Sequence, residues 1–295
     1  MAKEIGIMGL GRMGIGMAQR LLNNKIRVVA YNRSEDKVNE VKKKGAVPAY
    51  TLEELVLKLK SKPKIIWIML PAGKPTDNAI KDVLKILSKG DIIVDGANDF
   101  YKNAEKHAKI CGKSGVVFFD AGVSGGIHGL KNGYAIMVGG NKSQFKHIEP
   151  LCKALAPKNG YGYFGKAGSG HFVKSVHNII EYVYLEGIAE GVELLNKKNI
   201  ELKKAFEVFK TSVIKSWLIE LTEKAVNRKD FNKIKPRIGS VTMNELIKTK
   251  NSVKSYAPAF DSSLKVRKDK SKKLTLGKRT IAAVRNEFGG HEIKK

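Results

Sequence analysis

Residues 171–187 read HFVKSVHNIIEYVYLEG, and four of their side chains, Lys174, His177, Asn178 and Glu181, can exchange protons or bind a polar ligand. Their offsets of 0, 3, 4 and 7 place them along one face of a 3.6-residue helix. An ordinary amphipathic helix also carries a polar strip, but this strip does not stay polar. Beyond Tyr182 the same face continues as Leu185, Ile188, Ala189 and Val192, while Phe172, Val176, Ile179 and Val183 make the opposite side apolar. The pattern predicts a buried helix with an ionisable strip let into one end. Buried Lys and Glu are rare unless paired or functional. Proton transfer to and from a bound small molecule is the chemistry such a strip offers.

The elements that must position it are of two kinds. Residues 5–9, 26–32, 64–70, 91–96, 116–122 and 135–140 are short β-branched runs, separated by helical patterns that end at Gly or Asn. That alternation predicts an α/β domain, a Rossmann-type parallel, doubly wound sheet. From Gly165 the texture becomes helical almost to the end, after a GKAGSG turn whose Ser169 can cap a helix. The expected organisation is therefore a dinucleotide-binding domain over 1–165 and an all-α domain over 166–295. The Lys-rich segment 265–273 reads as a mobile connector before the last helix.

Residues 9–14, GLGRMG, lie between the first strand and the first helix. There Gly9 permits a tight turn, Gly11 lets the backbone approach a pyrophosphate, and Gly14 allows close helix packing. Leu10, Arg12 and Met13 complete the loop. The second strand ends in Asn32, Arg33 and Ser34, without the acidic residue that binds an NAD ribose. Arg33 can pair with a 2′-phosphate, so the expected cofactor is NADP, with NAD possible. Ser34 can alternatively cap the following helix.

At 295 residues and 42% hydrophobic, the chain can bury a sizeable core. No apolar run approaches the roughly 18–20 residues of a membrane span. The start runs directly into a strand pattern, so no signal peptide is expected. Cys111 and Cys152 have neither metal-ligand nor disulfide spacing; free thiols in a cytoplasmic protein without a metal site are expected. The net charge of +27 comes mostly from dispersed Lys and favours small anions as readily as nucleic acid. A specific nucleic-acid site is not expected.

Several motifs converge on one family. DGAN (95–98), DAGVSGGIHGLKNGYAIMVGG (120–140), GHFVKSVHNIIEY (170–182) and RNEFGGH (285–291) resemble the decarboxylating 6-phosphogluconate dehydrogenases, in the expected order and over nearly the whole chain. The short, single-repeat branch fits best, and VIKSWLIEL (213–221) and MLPAG (69–73) look like it. The resemblance implies oxidation of the 3-hydroxyl of 6-phosphogluconate, loss of carbon dioxide and protonation to ribulose 5-phosphate. Lys174 matches the base, its pKa brought toward neutrality by desolvation, and Glu181 matches the acid, about 10 Å along the helix. His177 and Asn178 would bind reacting hydroxyls. Ser124, Gly125 and Gly126 would meet the substrate carboxylate and the nicotinamide. Asn98 would sit between cofactor and substrate, and Leu70, Pro71 and Ala72 would line the cofactor. For the phosphate, Tyr182 and Arg267 match, with Thr242 a weaker match. Arg285 and His291 match residues that a neighbouring subunit supplies, which implies a homo-oligomer, at least a dimer.

The sequence departs from the family at informative places. Ile179 replaces the usual Gly after His177-Asn178. Asp99 replaces Ser after Asn98, adding negative charge near an anionic substrate. Lys215 stands where the short branch commonly has Arg. Ser240, in PRIGSVT (236–242), occupies a basic position, with Arg237 close by. Two other readings are a β-hydroxyacid dehydrogenase of the same superfamily and a catalytically lapsed nucleotide- or nucleic-acid-binding protein.

Overall fold

The computed structural model describes residues 4–239 and 242–295; Ser240, within the departing loop, lies outside them. Eight strands form one sheet: β1 Glu4–Met8, β2 Arg27–Tyr31, β3 Val47–Ala49, β4 Ile65–Ile68, β5 Ile92–Asp95, β6 Val117–Ser124, β7 Ala135–Gly140 and β8 Tyr161–Tyr163. Their spatial order is β3-β2-β1-β4-β5-β6-β7-β8. The helices among them are α1 Arg12–Asn23, α2 Glu35–Lys42, α3 Leu52–Leu57, α4 Lys74–Leu84, α5 Tyr101–Lys113, α6 Gly129–Asn132 and α7 Glu149–Leu155. The apolar runs alternate between two cores. Ile65 and Trp67 join Val28, Val94 and Phe119 on one side, whereas Ile66 and Ile68 join Val29, Ile93 and Phe118 on the other. A sheet covered on both faces requires such continuous hydrophobic strands.

The wholly parallel sheet expected from the sequence needs one correction. β6 and β7 pair antiparallel, and only β7 with β8 returns to parallel. Residues 125–134 between them are too few for the dozen or so that a parallel crossover needs. The two strands that the apolar pattern does not reveal, VPA at β3 and YGY at β8, are the sheet's two edges. Edge positions tolerate the Pro and Gly that mask them.

The chain forms two compact units, Met1–Ser175 and Val176–Lys295. The first two turns of helix α8, Ser169–Lys197, thus belong with the sheet rather than with the helical part that begins near 165 in the sequence pattern. Glycines let them approach. A Cβ at Gly122 of β6 would lie 2.3 Å from Lys174 Cβ, and one at Gly170 would lie 2.4 Å from the Met137 carbonyl oxygen. Ser169 is the first helical residue, and the buried Asp120 carboxylate does the capping, accepting from the N–H groups of Gly168 and His171 at 2.7 Å each.

The second unit is helical: the rest of α8, then α9 Leu202–Phe209, α10 Trp217–Val226, α11 Met243–Ser252, α12 Pro258–Lys268 and α13 Thr275–Gly289. Leu185, Ala189 and Val192 of α8 pack with Phe206, Ile281 and Val284. Residues 265–268, read from the sequence as part of a mobile connector, form the last turn of α12. The Lys278 ammonium holds the following loop through the Asp269 carboxylate, the Asp269 carbonyl and the Ser271 carbonyl. No helix among the described residues is long and apolar enough to cross a membrane.

Candidate active site

In the first unit the strand order turns back between β2 and β4 on either side of β1, the position where open α/β sheets take ligands. The glycine loop leaves β1 there. Gly9 has φ +99, and a Cβ at Gly14 would lie 2.0 Å from the Gly9 carbonyl oxygen, so both positions demand glycine. Over Gly11 nothing lies within 4 Å of where a Cβ would be, and no side chain caps α1. The helix's first N–H groups and this open backbone make a cradle suited to a pyrophosphate. Asn32 Oδ1 accepts from Leu10 N–H at 3.0 Å and so braces the loop. Arg12, Arg33 and Ser34 are exposed beside it, with Met13 half-buried, and Ser34 makes no side-chain cap to α2. Leu70 packs against Gly9, Pro71 is exposed with its carbonyl held by Thr76, and Ala72 is half-buried next to them. Asn98 aside, the sequence-predicted cofactor residues thus follow the carboxyl ends of β1 and of its two neighbours β2 and β4, and their chemistry fits a dinucleotide.

Asn98 is exposed on the loop after β5. Below it lies a buried network that sequence reasoning did not assign. Asp95 Oδ1 accepts from Ala97 N–H at 2.9 Å, and Asp95 Oδ2 lies 3.5 Å from Nδ1 of His107. His107 Nε2 meets Asp77 at 2.9 Å, and His171 Nε2 contacts the Asp95 carbonyl at 3.2 Å. Burial pushes Asp95 up, but His107, His171 and the Ala97 N–H together hold it below the ordinary carboxylate range. Burial likewise disfavours the His107 cation, but Asp95 and Asp77 outweigh it and raise the imidazole. The signal available in the sequence was an acid directly after an apolar strand. Asp99 corrects another expectation. It is buried, and its carboxylate accepts from Phe100 N–H at 2.7 Å and from Asn103 at 3.1 Å, so it is committed to the start of α5 rather than to a ligand.

Ser124 ends β6, and Gly125 and Gly126 follow with φ +150 and +51. A Cβ at Gly125 would press on the buried Tyr134 ring at 2.9 Å, so this turn also needs glycine. Lys174 is 7% exposed and lies against Gly122 of the same strand. The predicted burial of the residue is observed. The helix is not buried all round, however. Val176, on the side expected to be covered, is 38% exposed, and Ile180, one turn further along, is 61% exposed.

In the second unit Asn178 is buried, and its Oδ1 lies 2.9 Å from His177 Nδ1. Glu181 is half-buried. One step on, the guanidinium of Arg267 stacks 3.6 Å above the Tyr182 ring. All three of its nitrogens, and the Tyr182 hydroxyl, are buried without a hydrogen-bond partner among the described residues. Burial is the main reason Arg267 is lowered to about 10; the neighbouring Arg285 lowers it further, against the raising influence of Tyr182, Glu181 and Glu186. Arg285 is itself buried and lowered by burial, against the influence of Tyr182 and Glu181, and it donates to the Gly239 carbonyl. The chain's own Arg285 thus lies beside Arg267, Tyr182 and Glu181. His291 packs edge-on against Phe288 at 6.0 Å beyond α13. Thr242 is half-buried at the start of α11. No group of His, Cys, Asp or Glu among the described residues is placed to hold a metal ion.

Residues 4–165 match the family model described as the NAD binding domain of 6-phosphogluconate dehydrogenase, and residues 170–242 match that of its C-terminal domain. The chain is 36% identical over 297 residues to YqeC of Bacillus subtilis, covering 99% of both. It is 32% identical over 303 residues to the NAD(+)-dependent, decarboxylating 6-phosphogluconate dehydrogenase of Haloferax volcanii, again covering 99% of both. Among solved structures, the Plasmodium falciparum 6-phosphogluconate dehydrogenase superposes with a TM-score of 0.81 at 28% identity, over 90% of this chain and 61% of that one.

Proposed function

The chain belongs to the 6-phosphogluconate dehydrogenase family, in its short form of about 300 residues, and on that premise we propose that it oxidatively decarboxylates 6-phosphogluconate to ribulose 5-phosphate, with NADP preferred over NAD. The observation that carries the substrate is the buried guanidinium of Arg267, which has no acceptor among the described residues and has Arg285 beside it. A buried charge without a partner is costly, and a dianionic phosphate would satisfy it in bidentate fashion. A small 3-hydroxy acid has one anionic group, its carboxylate, and with that group at the turn of Ser124, Gly125 and Gly126 it has no second anion to offer Arg267.

The chain's residues divide the reaction as follows. The amine of Lys174, whose side chain is buried and starts against Gly122, accepts the proton of the substrate's 3-hydroxyl as its hydride departs. A bound nicotinamide supplies the hydride acceptor. The resulting ammonium then donates to the keto oxygen and stabilises the enolate formed as the carbon–carbon bond to the carboxylate breaks. Glu181 protonates the carbon that lost carbon dioxide. His177 and Asn178 orient hydroxyls, and the turn at Ser124, Gly125 and Gly126 receives the carboxylate end. Arg33 and Ser34 would take a 2′-phosphate. We further propose that His291 contributes from a neighbouring copy in a homo-oligomer.

The test is turnover of 6-phosphogluconate with NADP and with NAD, beside 3-hydroxyisobutyrate, with carbon dioxide trapped. Release of carbon dioxide from 6-phosphogluconate is expected. Reduction of cofactor by 3-hydroxyisobutyrate alone would overturn the substrate, and an undiminished rate in Lys174→Ala would overturn the assigned base.

A further inference from the structure

One buried ionisable group next to the proposed phosphate cluster has no part in the mechanism above. Glu186 lies on α8 four residues beyond Tyr182, is 5% exposed, and buries both carboxyl oxygens without a donor among the described residues. The charged groups around it come from three helices. Glu190 is one turn further along α8, Arg267 comes from α12 and Lys278 from α13. They are not equivalent. The three N–H bonds of Lys278 are spoken for by the Asp269 carbonyl, the Asp269 carboxylate and the Ser271 carbonyl. Glu190 repels. That leaves Arg267, whose nitrogens have no acceptor among the described residues, as the cation that an ionised Glu186 can draw on.

An anion arriving at Arg267 therefore finds a competitor already there. We propose that Glu186 is a positioning residue that sets the affinity for the substrate's phosphate: ionised, it holds the Arg267 charge, and it takes up one proton when the phosphate binds. This rests on the reading that Arg267 receives that phosphate. The carboxyl's condition fits the role. Burial, reinforced by Glu190, raises it to about 7 against the lowering influence of Arg267 and Lys278. It thus loses its proton in the range where a phosphate ester, with its second pKa near about 6, is already a dianion. Between pH 7 and 9 the charge of a phosphate ester is nearly constant while Glu186 changes, so 6-phosphogluconate does not mask the linkage; inorganic phosphate, which still loses a proton near neutrality, meets that condition only in the upper half of the range.

Calorimetric binding of inorganic phosphate and of 6-phosphogluconate, to wild type and to Glu186→Gln from pH 7 to 9, tests this. For the wild type the dissociation constant should rise by up to about tenfold per pH unit, the limit for one linked proton. In buffers of different ionisation enthalpy at pH 8, nearly one proton should be taken up per anion bound. Glu186→Gln, close in shape and uncharged, should bind more tightly than wild type at pH 8.5, with a flatter profile. Superimposable profiles and equal proton uptake in the two proteins would overturn the proposal, including the case in which His291 alone causes the pH dependence. Linked binding of inorganic phosphate without turnover of 6-phosphogluconate would uphold the coupling and overturn the substrate. Failure of both anions to bind wild type at any pH would overturn both.

Discussion

Replacing Arg267 with Met should make the free protein more stable and the enzyme worse. The side chain is 9% exposed, and the lowering of its guanidinium from 12.5 to about 10, chiefly by burial, corresponds to about 3 kcal/mol against the charged form. The stacking on Tyr182 at 3.6 Å returns about 1–2 kcal/mol of that in a desolvated setting. Methionine fills much of the volume and keeps apolar contact with the ring, so the ligand-free variant should gain about 1–2 kcal/mol. A thermal melt should then rise by a few degrees, at about 2–4 °C per kcal/mol for this size. Binding should move the other way. A lost charge-assisted hydrogen bond costs about 1.5–3 kcal/mol, so KM for 6-phosphogluconate should rise roughly 10- to 150-fold. Added inorganic phosphate should raise the melting temperature of the wild type and leave the variant unmoved, since only a folded state that binds a ligand is stabilised by it. A destabilised variant with an unchanged KM would refute the reasoning, because Arg267 would then be an ordinary structural side chain.

Gly122→Ala should displace the start of α8, because its Cβ would meet Lys174 Cβ at 2.3 Å and the Gly170 carbonyl oxygen at 3.0 Å; overpacking of this kind costs about 1–3 kcal/mol, and urea unfolding with unchanged midpoint and unchanged turnover would count against the close approach. His107→Gln tests the buried network below Asn98. The imidazole is raised in the folded state, so its contribution is fully present below its unfolded pKa and fades as pH rises through the folded one. The stability gap between wild type and variant should accordingly be wider at pH 6 than at pH 9 by urea denaturation, and a constant gap would show that the pair with Asp95 does not titrate. Arg33→Ala should raise KM for NADP about tenfold or more, the loss of one charge-assisted pair, while leaving KM for NAD nearly unchanged. Equal effects on both cofactors would remove Arg33 from the 2′-phosphate.

The parts of the fold legible in the sequence are those where local composition and burial agree. The inner strands carry β-branched runs because the sheet is covered on both faces, and the glycine loop is readable because φ +99 at Gly9 and the 2.0 Å approach at Gly14 admit no other residue. Strand direction has no local composition, so the reversal at β7 is not in the pattern; it follows from the length of the connection after Gly125. The helix with the four polar residues shows the same division. Spacing identifies the face that carries Lys174 and Asn178, and both are buried as predicted. Spacing does not say what covers the opposite side, and Val176 and Ile180 turn out exposed within the chain. For Asp99, position in the motif suggested a charge facing the ligand. The hydrogen bonds to Phe100 and Asn103 show that the same carboxylate serves the helix start, a local competition that short acidic side chains usually win.

What sequence cannot separate, the tally of hydrogen-bond partners can. Arg267 and Lys278 both lie in one basic stretch, KVRKDKSKKLTLGKR, and nothing in their types distinguishes them. Both are buried. Lys278 has its three donors occupied by the loop it holds, whereas Arg267 has none of its nitrogens matched among the described residues. The same contrast separates two buried carboxylates. Asp120 accepts from two main-chain N–H groups and caps a helix, while Glu186 accepts from no described residue. Buried polar groups are matched nearly everywhere in folded proteins, because leaving one unmatched costs about 1–3 kcal/mol or more. A cluster in which Arg267, Tyr182 and Glu186 are all unmatched among the described residues therefore lowers the stability of the unit that contains it. Selection tolerates that cost where a ligand completes the set, and the ligand that completes a guanidinium, a phenol and a carboxyl able to take a proton is an anion with several acceptor oxygens.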